Sequence, residues 1–397
     1  METTLQKKAS LHSTIGRPKK GCLSSFSTIV RERILSIREA HSGWGARSIW
    51  TEMHSDKSLR NLSIPKPSTI ALFLKHKGLV KKYERNVPLP NSQLHPATYA
   101  HHIWQIDGQG ATEVEGIGKV HLINTKDVFS KTYCGSVPKY AGLHSGAPSG
   151  QLYQHALRLA FSEFGLPSTI QTDHASVFYE NKGKSPFPTR FHLWLVSLGI
   201  PLIFSRKNMP TDQGIVERAH RTLSNQVIKG SAFASVVALH SYCNERRQLL
   251  NEVLPCSTIG NKAPLQAFPE ARFSGKAYHP QLEKQMIDLD RVYHFLSKGK
   301  WYRKAGKNQS IHLGGQYYYI NQAKKQSLVQ IEFDLKEKML VFRDVNEHFL
   351  GKQAIKNLTP EILMGASFFD ASLPGFQLKI PFSWEEHLIS TTFLNST

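Results

Sequence analysis

The segment Ile103–Asp107 (IWQID) decides how the central part of this chain folds. Its apolar residues predict a short β-strand, and this strand ends in a carboxylate. Two more strands are predicted over Lys119–Ile123 and Lys131–Val137, each after a gap of turn size. Together these segments predict a meander of three strands.

The residues after the meander predict alternating helices and strands. A helix over Gly150–Phe164 precedes a strand over Ser168–Asp173, and a helix over Arg190–Leu198 precedes a strand over Pro201–Phe204. A long helix is predicted to begin near residues 211–212. The order βββαβαβα predicts a mixed sheet with helices on its faces.

Three acidic residues stand at the predicted rim of this sheet. Asp107 and Asp173 each end a strand, at the sheet edge where α/β proteins normally build their sites. Glu217 lies near the start of the long helix, turned about 100° from the neighbouring core residue Val216. Oxygen ligands suit Mg²⁺ or Mn²⁺, and a pair of such ions promotes phosphodiester cleavage and strand transfer. The sequence therefore predicts that Asp107, Asp173 and Glu217 are catalytic and hold two metal ions.

The motifs around these carboxylates resemble insertion-sequence transposases with an integrase-type DDE core. They are IWQID at 103–107, GLPSTIQTDHASVF at 165–178 and PTDQGIVERAHRTL at 210–223. The resemblance covers residues 25–345 and implies the RNase H-like fold, a mixed five-stranded sheet with flanking helices, shared with retroviral integrases. It implies that Asp107 bridges both ions, while Asp173 and Glu217 each complete one site.

The same resemblance implies DNA contacts beside the carboxylates. The residues concerned are Gln213, Arg218, His220 and Arg221. The chain departs from the family pattern at Gln109, His174 and Ser224. It also places 43 residues between Asp173 and Glu217, more than is usual, and Tyr179–Thr189 is interpreted as the insertion.

The charge of the chain points to a polyanionic partner. Its 397 residues include 50 Lys and Arg against 30 Asp and Glu, a net charge of +20. Double-stranded DNA is the leading candidate for this partner. No apolar run reaches the roughly 20 residues that a membrane span needs, and the four cysteines form no CxxC pair. We therefore expect a cytoplasmic location. The resemblance to insertion-sequence transposases implies a prokaryote, with the protein associated with the nucleoid.

The basic N-terminal quarter predicts a DNA-binding module. Three short helices with a basic third one predict a helix-turn-helix over residues 25–85, with a small helical packing domain as the alternative. Its candidate DNA contacts are Arg47, Lys66, Ser68, Lys75 and Lys77. Ser68 is expected to cap the third helix, and Leu72 to lie on its apolar face. Residues 86–98 are interpreted as a linker.

The first 24 residues form a polar, basic tail. Within it, Gly16–Lys20 (GRPKK) resembles the core of an AT-hook, whose arginine lies in a narrow minor groove. A solvated tail without a specific contact is the alternative.

The predicted catalytic core covers residues 99–275. After it, the sequence predicts a small β-barrel over residues 285–350. Short alternating strands and a tight Gly314–Gly315 turn support this prediction. Basic residues beside aromatic ones suit contacts to the DNA backbone and base stacking, with a solvated loop as the alternative. The candidate contacts are Lys300, Arg303 and Lys304. For the tail over 351–397, docking on a protein partner and packing on its own core both stay open.

These observations favour a DNA transposase that works as a homo-oligomer, because coordinated transfer needs both element ends at once. A nuclease of the same fold and a catalytically silent DNA-binding regulator of element ends are the alternatives. Zinc binding at His101-His102 is rejected, since no paired cysteines or HxxxH accompany them. A dinucleotide site at Gly108 is rejected because no third glycine opens a helix.

Overall fold

The computed structural model describes residues 21–80, 96–141, 147–180, 185–206 and 210–365. The chain divides into two compact units. The N-terminal unit comprises Met1–Val87 with Ser224–Ser231, and the core unit comprises Pro88–Leu223 with Ala232–Thr397. The AT-hook candidate, most of the predicted linker and the tail beyond residue 365 lie outside the described residues.

Three helices build the N-terminal unit. They are α1 (Thr28–Ala40), α2 (Ala46–Ser55) and α3 (Pro67–His76). The hydroxyl of Ser27 caps α1 by accepting a hydrogen bond from the Ile29 amide. Apolar side chains from all three helices form one buried core, to which Val30, Ile49 and Ile70 contribute. The three predicted helices are therefore present.

Two expectations about α3 are wrong. The helix begins with Pro67 after the N-cap residue Lys66, which makes no side-chain cap, so Ser68 lies inside the first turn. Proline is favoured at this first position because its missing amide hydrogen would have no helical partner there. Leu72 is 46% exposed and lies outside the core. Of the predicted DNA contacts here, Arg47, Lys66, Ser68, Lys75 and Lys77 all lie at the surface.

A later segment, Ser224–Ser231, also belongs to the N-terminal unit. It starts with a π-helical turn over Ser224–Ile228. The indole Nε1 of Trp44 donates to the carbonyl oxygen of Gln226 at 3.0 Å, and the Gln226 side chain donates to the Ser48 hydroxyl at 2.8 Å. The segment is thus held by buried hydrogen bonds to α2 and to the turn before it.

Replacing Gly43 by alanine is expected to destabilise the N-terminal unit by about 1–3 kcal/mol. A Cβ at this position would lie 2.2 Å from the carbonyl oxygen of Asn225, a backbone atom that cannot rotate away. Urea unfolding should therefore show a lower midpoint for Gly43→Ala. Gly45→Ala is the matched control, because a Cβ there meets nothing within 4 Å, and equal losses in both variants would contradict the packing argument.

The first half of the core unit forms a five-stranded sheet with helices packed on it. Its elements are β1 (Ile103–Val114), β2 (Gly118–Asp127), β3 (Tyr133–Tyr140), α4 (Gly150–Phe164), β4 (Thr169–Thr172), α5 (Arg190–Ser197), β5 (Leu202–Phe204) and α6 (Gly214–Leu223). The strand order is β3-β2-β1-β4-β5. Neighbours among β1, β2 and β3 are antiparallel, whereas β4 pairs in parallel with both β1 and β5. The predicted mixed five-stranded sheet is confirmed.

The helices α4 and α5 bury the aromatic core of this unit against the sheet. Three aromatic side chains are fully buried here: Trp104 of β1, Phe161 of α4 and Trp194 of α5. The ring centroid of Phe161 lies 5.9 Å from that of Trp104 and 6.1 Å from that of Trp194. Ser149 caps the start of α4, and Gly165, with a φ of 76°, ends it. These contacts fix the rigid face behind the sheet edge where the carboxylates lie.

The second half of the core unit consists of helices followed by strands, with one short helix at its end. Its elements are α7 (Val236–Glu252), α8 (Pro264–Ala267), α9 (Glu283–Met286), α10 (Leu289–Ser297), β6 (Lys300–Lys304), β7 (Ser310–Leu313), β8 (Gln316–Tyr319), β9 (Leu328–Asp334), β10 (Met339–Arg343), β11 (Phe349–Ala354) and α11 (Pro360–Met364). The strands form an antiparallel sheet in the order β11-β10-β9-β6 and a separate hairpin of β7 and β8. The predicted Gly314–Gly315 turn joins the hairpin. The described strands form no closed barrel, so the predicted barrel is not confirmed.

Candidate functional site

The strands β1 and β4 bring Asp107 and Asp173 to one edge of the sheet. Gln105 of β1 is the parallel partner of Gln171 of β4, so the residues two positions further along stand at the same level. Asp173 directly follows the last residue of β4. The prediction that Asp107 ends its strand is wrong, because β1 continues to Val114 in antiparallel pairing with β2.

Both carboxylates are oriented by backbone amides. The Oδ1 atom of Asp107 accepts from the Gly108 amide, and that of Asp173 accepts from the Ala175 amide, each at 2.8 Å. Burial raises the pKa of the Asp173 carboxyl, and the negative charge of Asp107 raises this pKa further against the effect of the amide. Two neighbouring carboxylates that repel each other suit a hard divalent cation, which would neutralise both.

Glu217 comes from helix α6 and is exposed. It lies three residues before His220, whose Nε2 atom is 3.1 Å from the Oδ2 atom of Asp107. Residues three apart share a helix face, so Glu217 is one turn from the residue that contacts Asp107. Among the described residues, no three His, Cys, Asp or Glu side chains are grouped so that they could hold a metal ion. The structure thus brings Asp107 and Asp173 together and leaves Glu217 outside this pair.

Sequence reasoning missed Gln105, which fixes the start of α6 to the sheet. Its buried Nε2 donates to the carbonyl oxygen of Asp212 at 2.6 Å and to Oε1 of Gln171 at 3.0 Å. Its Oε1 accepts from the backbone amide of Val216 at 3.1 Å. A helix leaves its first amides without internal partners, and here a side chain from β1 supplies one. Gln105 therefore sets where the residue after Val216, Glu217, stands.

Gln213 is buried in the turn before α6, and its Nε2 atom has no hydrogen-bond partner among the described residues. Its neighbour Asp212 is held by Arg206, whose guanidinium nitrogens lie 2.8 and 2.9 Å from the carboxylate. Arg206 lowers the pKa of the Asp212 carboxyl through these hydrogen bonds. Gln213, predicted to contact DNA, is thus placed inside the fold, whereas Arg218 and Arg221 are exposed on α6.

The basic and aromatic patch before β7 divides into two kinds of residue. Arg303 donates to the Glu180 carboxylate and to the Ser185 carbonyl, each at 2.6 Å, and its side chain is only 13% exposed. It holds the predicted insertion segment in place, so the structure assigns it a packing role instead of the predicted DNA contact. Lys300 pairs with Glu332 at 2.9 Å in an exposed ion pair, and Lys304 is exposed.

A tyrosine hydroxyl lies beside the two aspartates. Burial raises the pKa of Tyr153, and the charges of Asp107 and Asp173 raise it further, so this hydroxyl keeps its proton. A Cβ at Gly108 would lie 2.4 Å from the Tyr153 hydroxyl oxygen. The glycine directly after Asp107 therefore leaves room for the Tyr153 hydroxyl, and no sequence pattern pointed to Tyr153.

Comparison with known proteins finds relatives among viral polyproteins. The chain is 31% identical over 166 residues to the Gag-Pro-Pol polyprotein of sheep pulmonary adenomatosis virus, which covers 41% of this chain and 8% of that protein. It is 27% identical over 144 residues to the Pol-related polyprotein of mouse intracisternal A-particle MIA14, covering 36% and 15%. The chain thus spans only a small part of the length of these relatives. No family model matches it.

Two solved retroviral structures show a limited similarity to this chain. The HTLV-2 integrase catalytic core domain in complex with magnesium is 19% identical, with a TM-score of 0.31 over 43% of this chain and 99% of that one. A chain of the simian T-cell lymphotropic virus intasome in complex with PP2A regulatory subunit B56 gamma is 14% identical, with a TM-score of 0.35 over 79% and 100%.

The sheet order and the similarity to Pol polyproteins support an integrase-type RNase H-like core. The relatives do not single out insertion-sequence transposases, and as polyproteins of retroviral origin they give no support to the expected prokaryotic location. Across the described residues, no helix is long and apolar enough to span a membrane.

Proposed function

We propose that this protein is a DNA transposase or integrase that cleaves DNA at the ends of a mobile element and joins those ends to target DNA. The observation that carries the proposal is the pairing of Asp107 with Asp173 at the carboxyl edge of two parallel strands. The transposase-like motifs around both residues and the similarity to Pol polyproteins support it. We further propose that this mobile element is an insertion sequence.

Asp107, Asp173 and Glu217 would hold the metal, with Glu217 supplied by α6. Bound Mg²⁺ or Mn²⁺, two ions per site, would activate the attacking oxygen and stabilise the leaving 3′ oxygen of an in-line displacement. The Gly108 and Ala175 amides orient the Asp107 and Asp173 carboxylates for this role. Because the bound ions would activate the attacking oxygen, the protein need not supply a covalent nucleophile.

Duplex DNA, both element ends and target, is the proposed partner, with a homo-oligomer bringing two ends together. The exposed basic residues of α3 and α6 suit contacts to phosphates, which supply most of the affinity of such proteins for DNA. These residues are Lys66, Lys75, Lys77, Arg218 and Arg221.

The test is strand joining by the full chain on labelled duplexes taken from the DNA that flanks its gene. With Mn²⁺ or Mg²⁺ and an acceptor plasmid, the wild type is expected to give joined products. Asp173→Asn, which keeps the shape but removes the charge, is expected to lower their rate on the order of 100-fold or more. Glu270→Gln changes an exposed carboxylate and serves as the matched control.

The alternatives give different products in the same experiment. Cleaved ends without joining, lost in Asp173→Asn, would identify a nuclease of the same fold. Binding to the ends with no product in wild type or variant would identify a silent regulator of element ends.

A further inference from the structure

The ring of His220 connects Asp107 to a second strand. Its Nε2 atom lies 3.1 Å from the Oδ2 atom of Asp107, and its Nδ1 atom lies 2.6 Å from the Nδ2 atom of Asn124. Asn124 belongs to β2 and is 1% exposed, while the His220 side chain is 12% exposed. Three elements, β2, α6 and β1, are thus linked through one imidazole. His220 therefore faces inward, in contrast to its predicted role as a phosphate contact.

The chemistry of the three groups fixes where the ring proton sits. An amide nitrogen of Asn124 can only donate, so the Nδ1 atom of a neutral His220 accepts and the proton lies on Nε2. That Nε2–H then donates to the Asp107 carboxylate. The reverse amide orientation would place the proton on Nδ1 and set a lone pair of Nε2 against the carboxylate, which is unfavourable for a neutral ring.

This arrangement orients both oxygens of Asp107. Oδ1 accepts from the Gly108 amide at 2.8 Å, and Oδ2 accepts from His220. Within the part of the chain that the structure describes, the Oδ1 atom of Asn124 is buried without a hydrogen-bond partner. A buried acceptor without a partner costs free energy, so we expect Asn124 to contribute through its contact with His220.

We propose that Asn124 is a positioning residue: it selects the Nε2–H form of His220 and thereby holds the Asp107 carboxylate in one orientation. The inference rests on the proposed function, in which Asp107 is a metal ligand. Residues that orient a metal ligand typically change metal affinity or activity by about 10–100-fold when replaced. Asn124 carries no charge and is 1% exposed, so we expect its effect to be exerted through the ring of His220.

The direct test is the protonation of the His220 ring, read by ¹⁵N-resolved NMR of the full chain. His220→Gln identifies the signal among the 19 histidines. The wild type is expected to show the Nε2–H form. Asn124→Leu is expected to let the Nδ1–H form appear beside it, because the amide donor to Nδ1 is lost. If that variant does not fold, Asn124→Ala tests the same point, since the same donor is lost there.

The chain contains an internal reference for this measurement. The Nδ1 atom of buried His101 accepts from the Trp104 indole at 3.0 Å, and its Nε2 atom lies 3.0 Å from the Ala271 carbonyl oxygen. His101 is therefore also in the Nε2–H form, and the Asn124 variants are expected to leave its signals unchanged. A wild-type His220 protonated on Nδ1, or a form unchanged in both Asn124 variants, would overturn the proposal.

A second readout separates positioning from packing. Mn²⁺ binding, measured by calorimetry, is expected to weaken about 10–100-fold in Asn124→Leu while its affinity for DNA is retained. Unchanged Mn²⁺ affinity in a folded variant would refute the role of Asn124. If the wild type shows the expected ring form but neither binds Mn²⁺ nor joins DNA, the proposed function fails while the link from Asn124 to Asp107 stands.

Discussion

Glu283→Gln is expected to lower the free energy of unfolding by about 3–5 kcal/mol at pH 7. The Glu283 carboxylate is 1% exposed and accepts hydrogen bonds on both oxygens. Arg158 donates to both of them at 2.6 and 2.8 Å, Trp194 donates to Oε1 at 2.7 Å, and Tyr278 donates to Oε2 at 2.6 Å. A glutamine amide would turn a donor toward these donors and leave the Arg158 charge without its partner.

The effect of this substitution is expected to depend on pH. Burial raises the pKa of Glu283, but the hydrogen bonds and charge of Arg158, with those of Tyr278 and Trp194, lower it below the ordinary value of about 4.3. A lowered pKa means that the folded state holds the proton less tightly than the unfolded state. The stabilisation is therefore present above pH about 4.3 and is lost as the pH falls through the folded-state pKa.

Urea unfolding of wild type and Glu283→Gln across this range is the measurement. The difference between them is expected to be largest near pH 7 and to shrink in acid, where the wild-type carboxyl is protonated. Glu361→Gln is the control, since Glu361 forms an ion pair with Lys284 at 2.6 Å in which the side chains are 42% and 65% exposed. Such pairs contribute about 0–1 kcal/mol to stability. Equal losses of unfolding free energy in the two variants would contradict the stabilising role of the buried Glu283 carboxylate.

The sheet could be predicted from the sequence because its strands and helices carry local patterns. The helix over Gly150–Phe164 has the predicted bounds, set by the Ser149 cap and Gly165. The strand β1 was predicted too short, because its continuation to Val114 depends on pairing with β2, which no local pattern records. The barrel was not confirmed for the same reason: strand segments were predicted, but which of them pair was not.

Asp107 and Asp173 come together because β1 and β4 are parallel neighbours and each carboxylate stands two residues beyond the paired Gln105 and Gln171. Gln105 and Asn124 were missed because their partners lie about a hundred residues away in the sequence. Arg303 was assigned to DNA because the sequence around a basic side chain beside aromatics is the same whether it contacts phosphate or the half-buried Glu180. Side-chain roles that depend on partners far away in the sequence therefore could not be predicted.

Gln105→Leu is expected to free the start of α6 and to slow strand joining about 10–100-fold, as for other residues that support a metal site. The substitution keeps the size of the side chain but leaves the Val216 amide without this partner and leaves the Asp212 carbonyl oxygen with Gln171 as its side-chain donor. A buried group without its partner costs about 1–3 kcal/mol, which is enough to shift the first turn of the helix. Glu217 stands in that turn, so its carboxylate would lose its fixed position.

Hydrogen exchange at the Val216 amide gives a readout independent of activity. Val216 is the third residue of α6, where an amide has no partner within the helix, so its protection comes from Gln105. Exchange is expected to accelerate at this amide in Gln105→Leu while the amides within α4 keep their protection. Gln151→Leu, on the exposed face of α4, is the matched control. Unchanged protection of Val216 with unchanged joining would show that α6 is positioned by other contacts, and slow joining with protection intact would place the effect of Gln105 at Gln171 and β4 instead.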